Sequence, residues 1–157
     1  MIFLTLGTQL PFDRLVKAVN TVATKIDETI IGQTGGSTPL ATEFQASELL
    51  TPQEFSQRVD EARIIIGHAG IGTILAGLRA EKTLILMPRK AQLEEHRNDH
   101  QLATASQMKE IPGVYIVETA QDILDLLEQD SLEHMSREVS PMQEALISFI
   151  QNEIASL

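Results

Sequence analysis

Residues 67–73 read Gly67-His68-Ala69-Gly70-Ile71-Gly72-Thr73, and their types suit contact with an anion. The His68 ring can donate a hydrogen bond to a diphosphate, Thr73 offers a hydroxyl, and Gly70 and Gly72 let a ligand approach the backbone. The segment follows an apolar, β-branched run at 62–66 and leads into a helix-like run at 74–80. A buried strand that opens through glycines onto a helix start leaves backbone N–H groups unpaired beside the positive helix end. The segment therefore nominates a nucleotide phosphate. The competing reading is a tight strand-to-helix turn whose glycines serve only backbone shape.

Two further clusters carry chemistry. Gly7-Thr8-Gln9 is a second binding loop or a turn with Thr8 as cap. Residues 94–101, Glu94-Glu95-His96-Arg97-Asn98-Asp99-His100-Gln101, crowd acids, bases and amides together, and contacts to sugar hydroxyls suit Asp99, His100 and Gln101. If this stretch is helical, His96 and His100 stand four apart on one face, the spacing of zinc hydrolases. Arg97 occupies the place of the glutamate base, although His96-x-x-Asp99-His100 loosely echoes the inverted motif with Asp for Glu. A solvated capping helix is the third reading. Gly35-Gly36 reads as a flexible loop, the acidic pairs Asp122/Asp125 and Glu128/Asp130 as a solvated helix face, and His134 as a surface residue.

The elements that must position these groups alternate along the chain. Strands are expected over 2–6, 28–32, 42–44, 62–66, 83–87 and 114–117, each a short apolar or β-branched run bounded by turn residues. Helices are expected over 11–19, 51–61, 74–80, 96–109, 120–128 and 141–154. Thr51-Pro52-Gln53-Glu54 combines a cap, a proline in the first turn and a glutamate at the capping-box position, and Thr119 caps the helix at 120. The C-terminal stripe Met142, Leu146, Phe149, Ile150 is expected to face the core. Such alternation predicts an α/β, Rossmann-like, doubly wound parallel sheet in a single domain over 1–157, with sites at the carboxyl ends of the strands. The three chemical clusters all follow predicted strands, so one sheet edge brings them together.

Composition narrows the function. Twelve Lys and Arg against 22 Asp and Glu give a formal charge of −10, which opposes binding to DNA or RNA but leaves a mononucleotide possible through local backbone donors. With no cysteine, disulfides and thiolate zinc sites are excluded. No basic leader or long apolar run is evident, so a soluble, cytoplasmic chain is expected.

The segments Leu4-Thr5-Leu6-Gly7-Thr8-Gln9-Leu10-Pro11-Phe12-Asp13-Arg14, Gly67 through Ile74, and Pro88-Arg89 followed by Glu95-His96 and Asp99-His100-Gln101 together resemble the C-terminal domain of family 28 glycosyltransferases. That domain is the half of the GT-B fold that holds the sugar nucleotide. The chain is similar to the small stand-alone subset, which includes the catalytic subunit of the dolichol-linked N-acetylglucosaminyltransferase and bacterial exopolysaccharide transferase subunits. The resemblance implies a UDP-sugar as donor substrate, no metal and no separate cofactor. It also implies a membrane-associated partner with its own Rossmann-like domain, which binds the lipid-linked acceptor and recruits this chain to the cytoplasmic face of the membrane.

By the same resemblance Thr8 and Gln9 face the cleft, His68, Gly70, Gly72 and Thr73 hold the diphosphate, and Asp99, His100 and Gln101 contact the donor sugar. His68 and the helix dipole stabilise the departing UDP, and the base is not assigned on this chain. One departure stands out: Ala76 occupies the place of an acidic residue that often binds the ribose. It favours a second reading, a non-catalytic nucleotide-binding regulatory module. A metal-dependent hydrolase using His96, Asp99 and His100 is a third.

Overall fold

The computed structural model describes residues 1–8, 10–137 and 141–155. Strands β1 (Ile2–Thr5), β2 (Ile30–Gln33), β3 (Gln45–Ser47), β4 (Ile64–His68), β5 (Thr83–Met87) and β6 (Val114–Ile116) form one sheet in the order β3-β2-β1-β4-β5-β6. Every pairing is parallel. The chain builds outward from β1 to β3, then returns to lay β4 against the other side of β1. That reversal opens a crevice at the carboxyl ends of β1 and β4.

Burial on both faces explains why the central strands are continuous apolar runs. Alternation along them splits the core in two. Ile2, Leu4, Ile64, Ile66, Ile85 and Met87 face one layer, filled by helices α1 (Asp13–Ala23) and α5 (Ala120–Leu127) through Leu15, Val16, Val19 and Ile123. Phe3, Ile65, Leu84 and Leu86 face the other. There α2 (Pro52–Glu61), α3 (Ile71–Arg79), α4 (His100–Met108) and α6 (Pro141–Ala155) contribute Val59, Ile74, Met108 and Ile150. Phe55 of α2 meets Phe3 edge-on at 5.4 Å between ring centroids. α3 lies so close to the sheet that a Cβ on Gly77 would collide with the side chain of Leu84.

Several boundaries shift: the first helix lies at 13–23, the second strand at 30–33, and α3 begins at Ile71, ahead of the expected 74. The third strand lies at Gln45–Ser47, after the expected 42–44, because Gln45 pairs with Ile31 while Phe44 packs against the core beside it. The fourth runs on to His68, since the ladder to β5 continues through Gly67 opposite Leu86 and His68 opposite Met87. The helix expected from 96 begins at His100, because the preceding residues form a loop tied to distant groups: the Asp99 carboxylate accepts from Ala91 N–H at 2.9 Å. His96 and His100 are therefore not one turn apart on a helix, and the zinc reading loses its geometric basis. Of the expected C-terminal stripe, Ile150 is buried, whereas the side chains of Met142 and Leu146 lie outside the described residues. Among the described residues no helix is long and apolar enough to cross a membrane.

Candidate functional site

The crevice between β1 and β4 holds a cavity of about 760 Å³. Thr5, Leu6, Gly7 and Thr8 line it from the end of β1, His68 from the end of β4, and Gly70, Ile71, Gly72 and Thr73 from the start of α3. Leu50, just before α2, closes it together with Pro52 and Phe55 of α2, and Arg89, His96 and Gln101 close it from the segment beyond β5.

α3 starts without a side-chain cap. Gly70 is its N-cap residue, and the first backbone donor taken up within the helix is Ile74 N–H, which reaches Gly70 O at 3.2 Å. The N–H groups of Ile71, Gly72 and Thr73 thus have no helical acceptor, and all three residues line the cavity. The Thr73 hydroxyl has no partner among the described residues. Three or four donors and the positive end of a helix converge on one space, which is the requirement for holding a phosphate.

His68 completes that wall, and its tautomer follows from its neighbours. The Arg89 backbone N–H can only donate, so the Gln101 amide turns its oxygen toward it, at 3.1 Å. The amide's NH2 then faces His68 Nδ1 at 2.9 Å, so Nδ1 accepts and the ring carries its proton on Nε2. Burial first, and the positive charge of Arg89 second, push the His68 pKa down to about 4. At neutral pH the ring is uncharged, with one N–H to offer. Glycines hold it on two sides: a Cβ on Gly70 would overlap the ring, and one on Gly7 would come within 2.9 Å of Nε2. Gly7 also sits at φ +76°, where side-chain-bearing residues are rare.

Arg89 is buried at 2% exposure and has no ion-pair partner within 4 Å among the described residues. Its guanidinium donates to four backbone carbonyls, Leu6 and Leu10 through Nη2 and Pro11 and Glu95 through Nη1, at 2.7–3.2 Å. Its face stacks on Phe12, 4.7 Å from the ring centroid. Burial lowers its pKa to about 10, so it stays charged at neutral pH. The nearby Glu95 carboxylate is occupied by Arg14, at 2.9 and 3.0 Å, and by the Lys90 backbone N–H.

Of the residues expected at the site, Thr8, His68, Gly70, Gly72, Thr73 and Gln101 line the one cavity. Asp99 and His100 are exposed and are not among its lining residues, and Gln9 lies outside the described residues. No group of three His, Asp or Glu side chains suited to a metal occurs among the described residues. Sequence reasoning missed Thr5, Gln33 and the whole α2 wall, and it singled out Arg89 and His96 without giving either a place in this cavity. A parallel sheet with a switch point puts the end of β2 next to that of β1, and that signal could have found Gln33. Pro88-Arg89 is part of the resemblance, but nothing local marks the Arg89 side chain as buried.

A model of the glycosyltransferase family 28 C-terminal domain matches residues 1–155. No curated protein matches the chain by sequence. Among solved structures, MurG of Acinetobacter baumannii superposes with a TM-score of 0.61 at 17% identity, over 96% of this chain and 49% of its own. ALG13, determined by NMR, gives 0.64 at 18% identity and 96% coverage of both chains. A UDP-glucose:anthocyanidin 3-O-glucosyltransferase in complex with UDP gives 0.60 at 14% identity, over 96% of this chain and 35% of its own. The chain thus spans less than half the length of the MurG and anthocyanidin proteins, and about the whole of ALG13.

Proposed function

The chain belongs to the glycosyltransferase family 28 C-terminal domain family, and from that premise we propose that it is the donor-binding, catalytic subunit of a two-component, inverting UDP-sugar glycosyltransferase. The acceptor is a lipid-linked glycan held by a second, membrane-associated Rossmann-like protein, which brings this chain to the cytoplasmic face of the membrane. The observation that carries the reading is the open start of α3 beside the neutral Nε2–H donor of His68.

In this mechanism the acceptor hydroxyl oxygen attacks the anomeric carbon, the bond from that carbon to the β-phosphate oxygen breaks, and the hydroxyl proton passes to a base. The charge arriving on UDP is met by the Ile71, Gly72 and Thr73 N–H groups and by His68, aimed at where charge develops. The base is assigned to the partner's side of the cleft. The nucleoside occupies the groove between α2 and α3, where Leu50, Pro52 and Phe55 offer apolar surface to a base. Asp60, the one carboxylate lining the cavity among the described residues, takes the ribose hydroxyls in place of a residue at Ala76. Residues 99–101 face the donor sugar at the His96 edge once the partner closes the cleft.

Support for a partner comes from the surface. The exposed large hydrophobics among the described residues, Leu10, Leu49 and Leu93, follow β1, β3 and β5, all on the sheet edge that carries the cavity. NMR titration of the labelled chain with UDP and UDP-sugars tests the reading, alone and with a co-expressed membrane-anchored Rossmann-like protein. Shifts at Ile71, Gly72 and Thr73 are expected. None of these amides moving, even with the partner present, would sink it. Ala76 favours the second reading, a non-catalytic nucleotide-binding module, for which UDP would bind but the reconstituted pair would transfer no sugar.

A further inference from the structure

We propose that Arg89 is the positioning residue of this site, fixing the His68 ring from both sides at once. Its backbone N–H sets the Gln101 amide, and its guanidinium holds the carbonyls of Leu6, Leu10 and Pro11 on either side of Gly7. The inference rests on the glycosyltransferase reading only for the identity of the ligand.

The first arm runs through the amide. Because Arg89 N–H holds Gln101 Oε1, the NH2 is left for His68 Nδ1, and the exchangeable proton goes to Nε2. A Gln101 amide freed to flip would present its oxygen to Nδ1 and draw the proton there, away from Nε2. The second arm runs through the loop. Leu6 O and Leu10 O, on either side of Gly7, accept from the same Nη2, at 2.9 and 2.8 Å, and Pro11 O accepts from Nη1 at 2.7 Å. These bonds pull the turn in against the sheet edge, and Gly7 is the part of it that lies against Nε2. A planar, five-donor guanidinium is suited to gathering carbonyls from separate segments, and an ammonium with three donors is not. Stacking on Phe12 fixes the plane of that fork. With every acceptor a neutral carbonyl, Arg89 keeps its charge behind the cavity, where a carboxylate partner would have cancelled it.

Arg89→Lys keeps the charge and removes the fork, so it separates positioning from electrostatics. The readout is the His68 tautomer at pH 7, from long-range proton–nitrogen NMR correlations of the full chain, together with UDP affinity by calorimetry. In the native protein a single Nε2–H form is expected. In Arg89→Lys, with its fold checked by circular dichroism, the backbone N–H still orients Gln101 and the Nε2–H form persists, while the Gly7 amide resonance shifts and UDP affinity falls about tenfold or more. Gln101→Glu is the second variant: its carboxylate still accepts from Arg89 N–H but cannot donate to Nδ1, and His68 shifts to an Nδ1-protonated form. Where Arg89→Lys does not fold, Gln101→Glu decides. A folded Arg89→Lys with native UDP affinity and an unmoved Gly7 amide, or a Gln101→Glu that keeps the single Nε2–H form, overturns the proposal. A native chain that shows the single tautomer yet binds no UDP, even with the partner present, overturns the UDP-sugar reading and leaves the positioning role standing.

Discussion

Two neighbouring helix starts flank the same cavity and are built in opposite ways. α2 begins with Thr51, whose hydroxyl accepts from Glu54 N–H at 3.1 Å while the Glu54 carboxylate accepts from Thr51 N–H at 2.9 Å. Its end donors are answered from within the chain. α3 begins with Gly70, offers no side chain, and turns its donors toward open space. α1 and α4 also start without a side-chain cap, so what sets α3 apart is that the residues carrying its free N–H groups line the cavity. α5, away from the cavity, repeats the closed design with Thr119 and Asp122.

The most disruptive way to test this contrast is to put a carboxylate at the open end. A Cβ on Gly72 meets nothing within 4 Å, so Gly72→Asp fits sterically. It should leave thermal stability unchanged or slightly higher, since an acid in the first turn favours the helix, while UDP affinity measured by calorimetry drops at least about 100-fold, or roughly 3 kcal/mol. Loss of both stability and affinity would mean that the two helix starts do not differ in purpose.

The next effect concerns stability against pH. His68 titrates at about 4 in the folded chain and at its ordinary value of 6.5 when unfolded. Between those values the unfolded chain binds the extra proton, so stability is whole above pH 6.5 and declines as pH falls toward 4. The decline should reach up to roughly 3 kcal/mol. Urea unfolding at pH 7 and pH 4.5 measures it, and His68→Gln should flatten that part of the profile.

His68→Ala at neutral pH removes one hydrogen bond to an anion, worth about 2 kcal/mol, so a UDP dissociation constant roughly 30-fold higher is expected. The smallest change comes from opening the closed helix. Thr51→Ala should lower unfolding free energy by about 1 kcal/mol and leave UDP affinity within about twofold, by chemical denaturation and calorimetry.

The closed starts were legible in the sequence because every atom of a capping box comes from within four residues. Thr51 with Glu54 and the Thr119 cap were both expected and both form. β5 was placed at 83–87, where it lies, because a fully buried strand between a turn and Pro88 leaves little freedom. β3 was displaced because the eye follows Phe44, whereas the pairing of its polar residues is dictated by β2. Six of the expected site residues reach the cavity because they sit at strand ends, which topology gathers on one edge. Arg89 was not legible as a buried group. Pro88-Arg89 is legible as a motif, but the carbonyls of Leu6, Leu10 and Pro11 that remove the side chain from water lie about eighty residues earlier.

Gly77 does not line the cavity, yet it sets the character of capture. With no side chain between α3 and Leu84, the helix rests directly on β5. The donors at its other end have little motion left to lose when an anion arrives, since their ordering entropy was already surrendered on folding. The receptor half of the encounter is thus rigid in advance, and the heat-capacity change on taking up a nucleotide should follow the surface that the nucleotide covers, with little added by folding of the wall itself.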